Sequence, residues 1–405
     1  TIRGGTLARP GGKSLTGTGG LALGSGNLLV NGSYQLGGLT QINGGTATFN
    51  SATTLGNVMQ TGGLLNGTGP LSVTAALQWT GGTQSGAGNT EIGPLGTLTM
   101  NGAGDVTLSR LLTVQGAGTL SGAGNLAFSG GTLSIPAGGS VTVSTDADLT
   151  GTGTITTAGT GVFLKSGGGT TTTVAPVLNN AGTVTVASGT LVLLGDGTHA
   201  GLFDGAGTLE FGGGTHTLTG TSSVTTTTVI VSGATVSSTG GYALVGSSTM
   251  VSSGTLTLTG TVGNLGAVTV SGGTFNLGGT GTATATGLTL SSGALNLQDS
   301  RVLAVSGPAS WTGGGLAVAS GTTLRQQTGT LTDNQAGAAT VTGGGTLESA
   351  AAGVYSKTGA GATTVQDALI AIRTAATAAG SPLVAAINSN RTGLDLIDAD
   401  IQRIT

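Results

Sequence analysis

The stretch Gly254-Thr255-Leu256-Thr257-Leu258-Thr259-Gly260, continued by Gly266-Ala267-Val268-Thr269-Val270-Ser271 and Gly272-Gly273-Thr274-Phe275, decides the fold. Strict alternation over five residues puts Leu and Val on one face of a strand and Thr and Ser on the other. The β-branched residues suit a pleated surface, and the glycines break the strands into short pieces. The phrase then returns. Gly4-Gly5-Thr6-Leu7, Gly130-Gly131-Thr132-Leu133 and Gly344-Gly345-Thr346-Leu347 repeat it, with Gly-Thr-Leu at 96–98, 118–120, 189–191 and 207–209. Gly254, Gly273 and Gly293 stand 19 and 20 residues apart, and Gly189 and Gly207 stand 18 apart. A near-constant period with the same phrase in each interval is the signature of a repeat architecture.

Two or three short strands per interval, joined by glycine corners, predict an all-β fold: a right-handed parallel β-solenoid (β-helix). Each coil would bond only to the coils above and below it, so like residues stack on like. About 350 residues at about 19 per coil give roughly 18 coils, about 90 Å of stack at the usual strand spacing. Leu120, Leu133, Leu191, Leu209, Leu256, Phe275 and Leu295 are the expected inward rows. A longer repeat lies over the short one. Gly37–Met100 resembles Gly266–Gly329, and each contains a Trp-Thr-Gly-Gly phrase at Trp79 or Trp311, the two tryptophans of the chain. Leu-x-Gly-Thr/Ala-Gly-x-Leu at 15–21, 65–71 and 120–126, with variants at 149–155 and 203–209, reads as a corner whose glycines adopt positive φ.

Composition narrows the chemistry. The 405 residues include 83 glycines, while 6% are charged, 3% aromatic and none is cysteine. The alternating hydrophobic residues, 37% of the chain, argue against disorder, and seven prolines without a glycine period of three argue against collagen. A net charge of −3 offers no electrostatic basis for nucleic acid or an anionic membrane as partner. The absence of cysteine fits either chance in a monotonous composition or a chain exported without disulfides. The start at Thr1, without an initiator Met or a signal peptide, reads as a processed or excised segment. Val365–Ile387 is the longest helical-looking apolar stretch, but Asp367, Arg373, Gly380 and Pro382 interrupt it, so no membrane span is expected.

From about Ala362 alanine replaces glycine. The expected domains are therefore a solenoid over 1–361 and a short α-helical tail over 362–405. Thr364-Val365-Gln366-Asp367 has the form of a capping box, opening a helix to about Ala379. Val365, Leu369, Ile372 and Ala376 share one helical face, and Leu394, Ile397, Ile401 and Ile404 make a second apolar stripe after Thr392. Val365, Leu369, Ile372, Leu394, Ile397 and Ile401 are the candidate assembly residues. They either cap their own solenoid or dock on a neighbouring copy.

Asn180-Ala181-Gly182-Thr183-Val184-Thr185-Val186, Gly189-Thr190-Leu191, Gly212-Gly213-Gly214-Thr215-His216-Thr217-Leu218 and the Trp-Thr-Gly-Gly units resemble repeats of bacterial filamentous haemagglutinin-like proteins and autotransporter passenger domains. The resemblance covers roughly residues 1–350. It implies a β-helix exported to the bacterial surface, acting in adhesion or in an extracellular structure. The chain shows no two-partner secretion domain or outer-membrane barrel of that family, and its Ala-rich tail is not part of the repeat pattern.

Chemistry needs converging groups. The densest acid cluster is Asp196, Asp204 and Glu210, with His199 and His216 nearby and 17 residues apart, a spacing that suits adjacent coils. Paired carboxylates there would suit a polysaccharide lyase or hydrolase, and the histidines a metal or acid–base site. The plainer expectation is solvated polar residues on one irregular coil. Asp146 and Asp148 read as surface charges that discourage aggregation. Gly11-Gly12-Lys13-Ser14 lacks the first glycine of a phosphate-binding loop, since position 7 is Leu7. Calcium-binding nonapeptides need regular Asp, and an ice-binding face needs Thr pairs at one place in every coil; neither pattern is present. No catalytic residue, cofactor or metal is expected. The expected function is a non-catalytic extracellular structural protein, a subunit of a surface fibre or sheath assembling head-to-tail. The alternatives are an adhesin stalk with a glycan or cell-surface partner, and a polysaccharide lyase or hydrolase.

Overall fold

The computed structural model describes residues 1–335, 339–357 and 363–366, and these residues divide into two compact units, Thr1–Gly266 and the part that begins at Ala267. Each unit is a parallel β-solenoid, and the described residues make about 17 turns with no helix. Most turns carry three strands. In the first unit one turn runs Leu202–Asp204, Thr208–Phe211 and Thr215–Leu218, and the next runs Ser223–Val224, Thr228–Val231 and Thr235–Ser238. Each strand pairs in parallel with its equivalent one turn on: Leu209 opposes Val229, His216 opposes Val236 and Phe203 opposes Val224. The second unit repeats the scheme, with Phe275 opposite Leu295, Leu295 opposite Leu316 and Leu316 opposite Val341.

The core follows from the alternation. In Thr208–Phe211, Leu209 and Phe211 are buried while Thr208 and Glu210 face outward. Leu120, Leu133, Leu191, Leu209, Leu256, Phe275 and Leu295 are all buried, as the pattern requires. Both tryptophans are inside as well. Trp311 donates its Nε1–H to the carbonyl of Gly314, three residues on, within its own Trp-Thr-Gly-Gly phrase.

The glycine phrases have two physical causes. Gly45, Gly63 and Gly82 have φ of 66°, 68° and 83°, a left-handed conformation that a Cβ disfavours. They also stack, so that a Cβ on Gly63 would stand 2.6 Å from the Gly45 carbonyl oxygen, and one on Gly82 would stand 2.4 Å from that of Gly63. The corner phrase differs in part from its expected conformation. Gly67 and Gly151 have positive φ, whereas at Gly122 the constraint is space, since a Cβ would stand 2.0 Å from the Gly102 carbonyl oxygen.

The expected helix opening at Thr364-Val365-Gln366 is corrected. Thr363–Gln366 is a strand, paired in parallel with Ala339–Thr342, so the ladder crosses the expected boundary at 361/362. Four residues rich in β-branched Thr and Val gain ladder hydrogen bonds at once on a coil edge, whereas a helix must first form a costly nucleus. Leu369, Ile372, Leu394, Ile397 and Ile401 lie outside the described residues, as does the side chain of Val365.

Replacing Gly63 with Ala is expected to destabilise the fold by about 1–3 kcal/mol through backbone strain and contact with Gly45. Gly104→Ala, where a Cβ meets nothing within 4 Å, should have little effect. Thermal unfolding of the two variants checks the difference. The same assay should show Leu256→Asp losing several kcal/mol, because it places an unpaired carboxylate in the core.

Candidate functional site

The histidines and acids of the candidate cluster fall on opposite sides of the coil wall. His199 and His216 are buried, while Asp196 is exposed and Asp204 and Glu210 face outward, half-buried. The histidines do lie on adjacent turns, displaced by two residues: His216 opposes Gly197 and His199 opposes Leu218. Their rings stack at 5.3 Å between centroids, and His199 Nε2 is 3.1 Å from His216 Nδ1. Phe203 packs edge-on against His199, and Phe211 edge-on against His216.

The hydrogen bonds define the tautomers. His216 Nε2 lies 3.0 Å from the carbonyl oxygen of Gly213, which only accepts, so this nitrogen carries the proton. His216 Nδ1 then accepts from His199 Nε2–H, leaving His199 Nδ1 as an unpartnered lone pair in the core. The pair is neutral. Burial first, and the neighbouring His216 second, lower the His199 pKa to about 3, and burial lowers that of His216 too. Gly197 makes the stack possible: a Cβ there would stand 2.6 Å from the His199 ring. The missing side chain in the row that holds Leu178 and His216 is the space the imidazole fills.

The acids join one turn to the next. An Asp196 carboxylate oxygen accepts the backbone N–H of Thr215 at 2.7 Å, Asp204 accepts the Thr185 hydroxyl at 2.6 Å, and Glu210 accepts the Ser232 hydroxyl. The same device recurs at a corner that the sequence reading did not single out. Asp105 accepts Asn125 N–H, Asn125 Oδ1 accepts Asp148 N–H, and Asp148 accepts Thr173 N–H, at 2.7–2.9 Å. Each Asp or Asn thus holds the backbone of the following turn, a ladder of Asx side chains running along the stack. The one sequence signal was Asx recurring at the coil period.

Asp146 is exposed and Asp148 half-buried, and both carboxylates also serve as structural hydrogen-bond acceptors, Asp146 from Thr170 N–H and Asp148 from Thr173 N–H. Asp146 also pairs with the fully buried Lys165 at 3.0 Å, and hydrogen bonding from Thr170 and then from Lys165 holds its carboxyl below the ordinary range. Lys165 Nζ donates further to the carbonyls of Thr145 and Gly167. Two corners hold a buried arginine instead: Arg110 Nε donates to Gly88 O at 2.8 Å and Arg301 Nε to Gly278 O at 2.7 Å. Among the described residues, no three His, Cys, Asp or Glu side chains converge as metal ligands, and no helix is long and apolar enough to cross a membrane.

Fold and side-chain arrangement together define the class: a parallel β-solenoid repeat protein whose ionisable groups hold turn to turn. Comparison with protein-family models, curated proteins and solved structures finds no match for this chain.

The histidine pair makes a pH prediction. A histidine whose folded pKa lies below its unfolded value of 6.5 binds more protons when unfolded, so stability is complete above about pH 6.5 and falls as pH drops toward the folded pKa, about 3 for His199. Denaturant unfolding between pH 7 and 5 should show stability falling with acidification. His199→Leu should reduce that slope by about one proton.

Proposed function

We propose that the chain is a non-catalytic structural protein of the bacterial surface, a subunit of an extracellular fibre or sheath. One observation carries the reading: the side chains best suited to chemistry serve coil-to-coil hydrogen bonds. Asp196, Asp204 and Glu210 hold neighbouring turns, and His199 and His216 are closed into the core. A lyase or hydrolase needs carboxylates converging on a sugar ring, and here each acid is turned to a different backbone or hydroxyl partner.

The aromatic residues favour the structural reading over a glycan-binding stalk. Sugar platforms present aromatic faces to solvent, whereas Tyr34, Phe49, Trp79, Phe128, Phe163, Phe203, Phe211, Tyr242, Phe275 and Trp311 are all buried. The extracellular bacterial setting rests on the repeat resemblance to haemagglutinin-like proteins. Head-to-tail joining through the residues after Gln366 is the assembly route we propose, because Thr363–Gln366 carries the ladder up to that tail.

Electron microscopy of the purified chain tests the proposal. The full chain should form filaments at high concentration, and a chain lacking residues 367–405 should not. A full chain that stays monomeric, or a truncated chain that forms the same filaments, overturns the assembly route. Turnover of a polysaccharide that disappears in Asp204→Asn overturns the non-catalytic reading.

A further inference from the structure

Buried polar atoms without a hydrogen-bond partner are unevenly distributed. Eleven occur among the described residues, and seven of these belong to Gln60, Trp79, Gln84, Thr90 and Arg110. Buried polar groups are ordinarily satisfied, so a concentration within neighbouring turns of one unit points to something specific.

The centre of the group is a corner. Gln84 and Thr90 flank the loop 85–88; Gln84 opposes Leu108 of the next turn, and Thr90 opposes Leu112. Arg110 lies midway between Leu108 and Leu112, over that loop, and its Nε donates to Gly88 O within it. The three side chains are buried, with Arg110 only 4% exposed. Arg110 Nη1 and Nη2, both polar atoms of the Gln84 amide and the Thr90 hydroxyl have no partner. Gly88 leaves the room, since a Cβ there would stand 2.7 Å from Arg110 Nη2.

The charge is real and uncompensated. Burial lowers the Arg110 pKa only to about 10, so the guanidinium is cationic at neutral pH. The ion pairs Lys165–Asp146 and Arg325–Glu348 do not reach Arg110. Lys165 shows what a satisfied interior cation needs here: a carboxylate and two carbonyls. A buried charge with a single carbonyl acceptor carries an unrelieved desolvation cost.

We infer that the corner formed by Arg110, Gln84 and Thr90 is an internal binding site for a small monovalent anion of the halide class. The Nη hydrogens supply charge-assisted donors, and the Gln84 amide and Thr90 hydroxyl supply neutral ones. A halide needs no acceptor side chain, whereas a divalent oxyanion would bring a charge that one guanidinium does not balance. The anion acts as a structural ion, neutralising the corner as Asp146 does for Lys165.

The test uses the intact chain, refolded in sodium gluconate, chloride or bromide at one ionic strength. Halide is expected to raise the unfolding temperature by roughly 1–3 °C per tenfold increase in concentration, since a ligand of the folded state stabilises in proportion to its log concentration. Arg110→Met should abolish the dependence. Crystals of the unaltered chain refolded in bromide give a readout that needs no variant: an anomalous peak within hydrogen-bond reach of Arg110 Nη1 or Nη2. Equal unfolding temperatures in gluconate and halide, an unchanged halide dependence in Arg110→Met, or water alone beside the guanidinium would overturn the inference.

Discussion

The separation of about 4.8 Å between hydrogen-bonded parallel strands governs this protein. In a parallel coil every residue faces its own equivalent one turn away, so whatever a position demands is demanded again in the next turn. Apolar side chains form rows such as Leu191, Leu209 and Val229. A corner that bends too tightly for a Cβ bends so on successive turns, which produces the stack Gly45, Gly63 and Gly82. The monotony of the sequence is the imprint of one repeated set of contacts.

The same spacing decides the use of polar side chains. A short Asx side chain spans the distance from one turn to the backbone N–H of the next, so Asp105, Asn125 and Asp148 act as struts. Where a row departs from Leu or Val, the neighbouring turn compensates. Gly197 opens a space and His199 fills it; His216 Nδ1 accepts the His199 Nε2–H, and the Gly213 carbonyl accepts the N–H of His216 in turn. Lys165 is compensated by Asp146 and two carbonyls. The Arg110 corner stands out because no group of the protein compensates it in the same way.

This arrangement bears on function through what remains outside. The described aromatic side chains are consumed by the core, and the acids of the candidate cluster hydrogen-bond to neighbouring turns. The outward face is dominated by Thr, Ser and Asn, with few charges and isolated apolar residues such as Leu95 and Val245. Such a surface is consistent with the structural role we propose.

The sequence by itself determined the ladder. Alternation in Thr255–Leu258 and Thr274–Leu277 set which side chains point inward, and the period of 18–20 residues set which residues stack, because both depend on local geometry repeated many times. The side-chain partners of single residues depended on the tertiary structure. His199 and His216 were legible as neighbours on adjacent turns, but their ring stacking depends on Gly197 and on a two-residue offset in register. Asp148 was legible as a surface charge, but its bond to the N–H of Thr173, 25 residues away, was not. Thr363–Gln366 carried a helical capping pattern, yet the open edge of Ala339–Thr342 offered ladder bonds and drew it into a strand. Repetition makes an average position readable from the chain, whereas an exception is decided by whichever groups the next turn brings within reach.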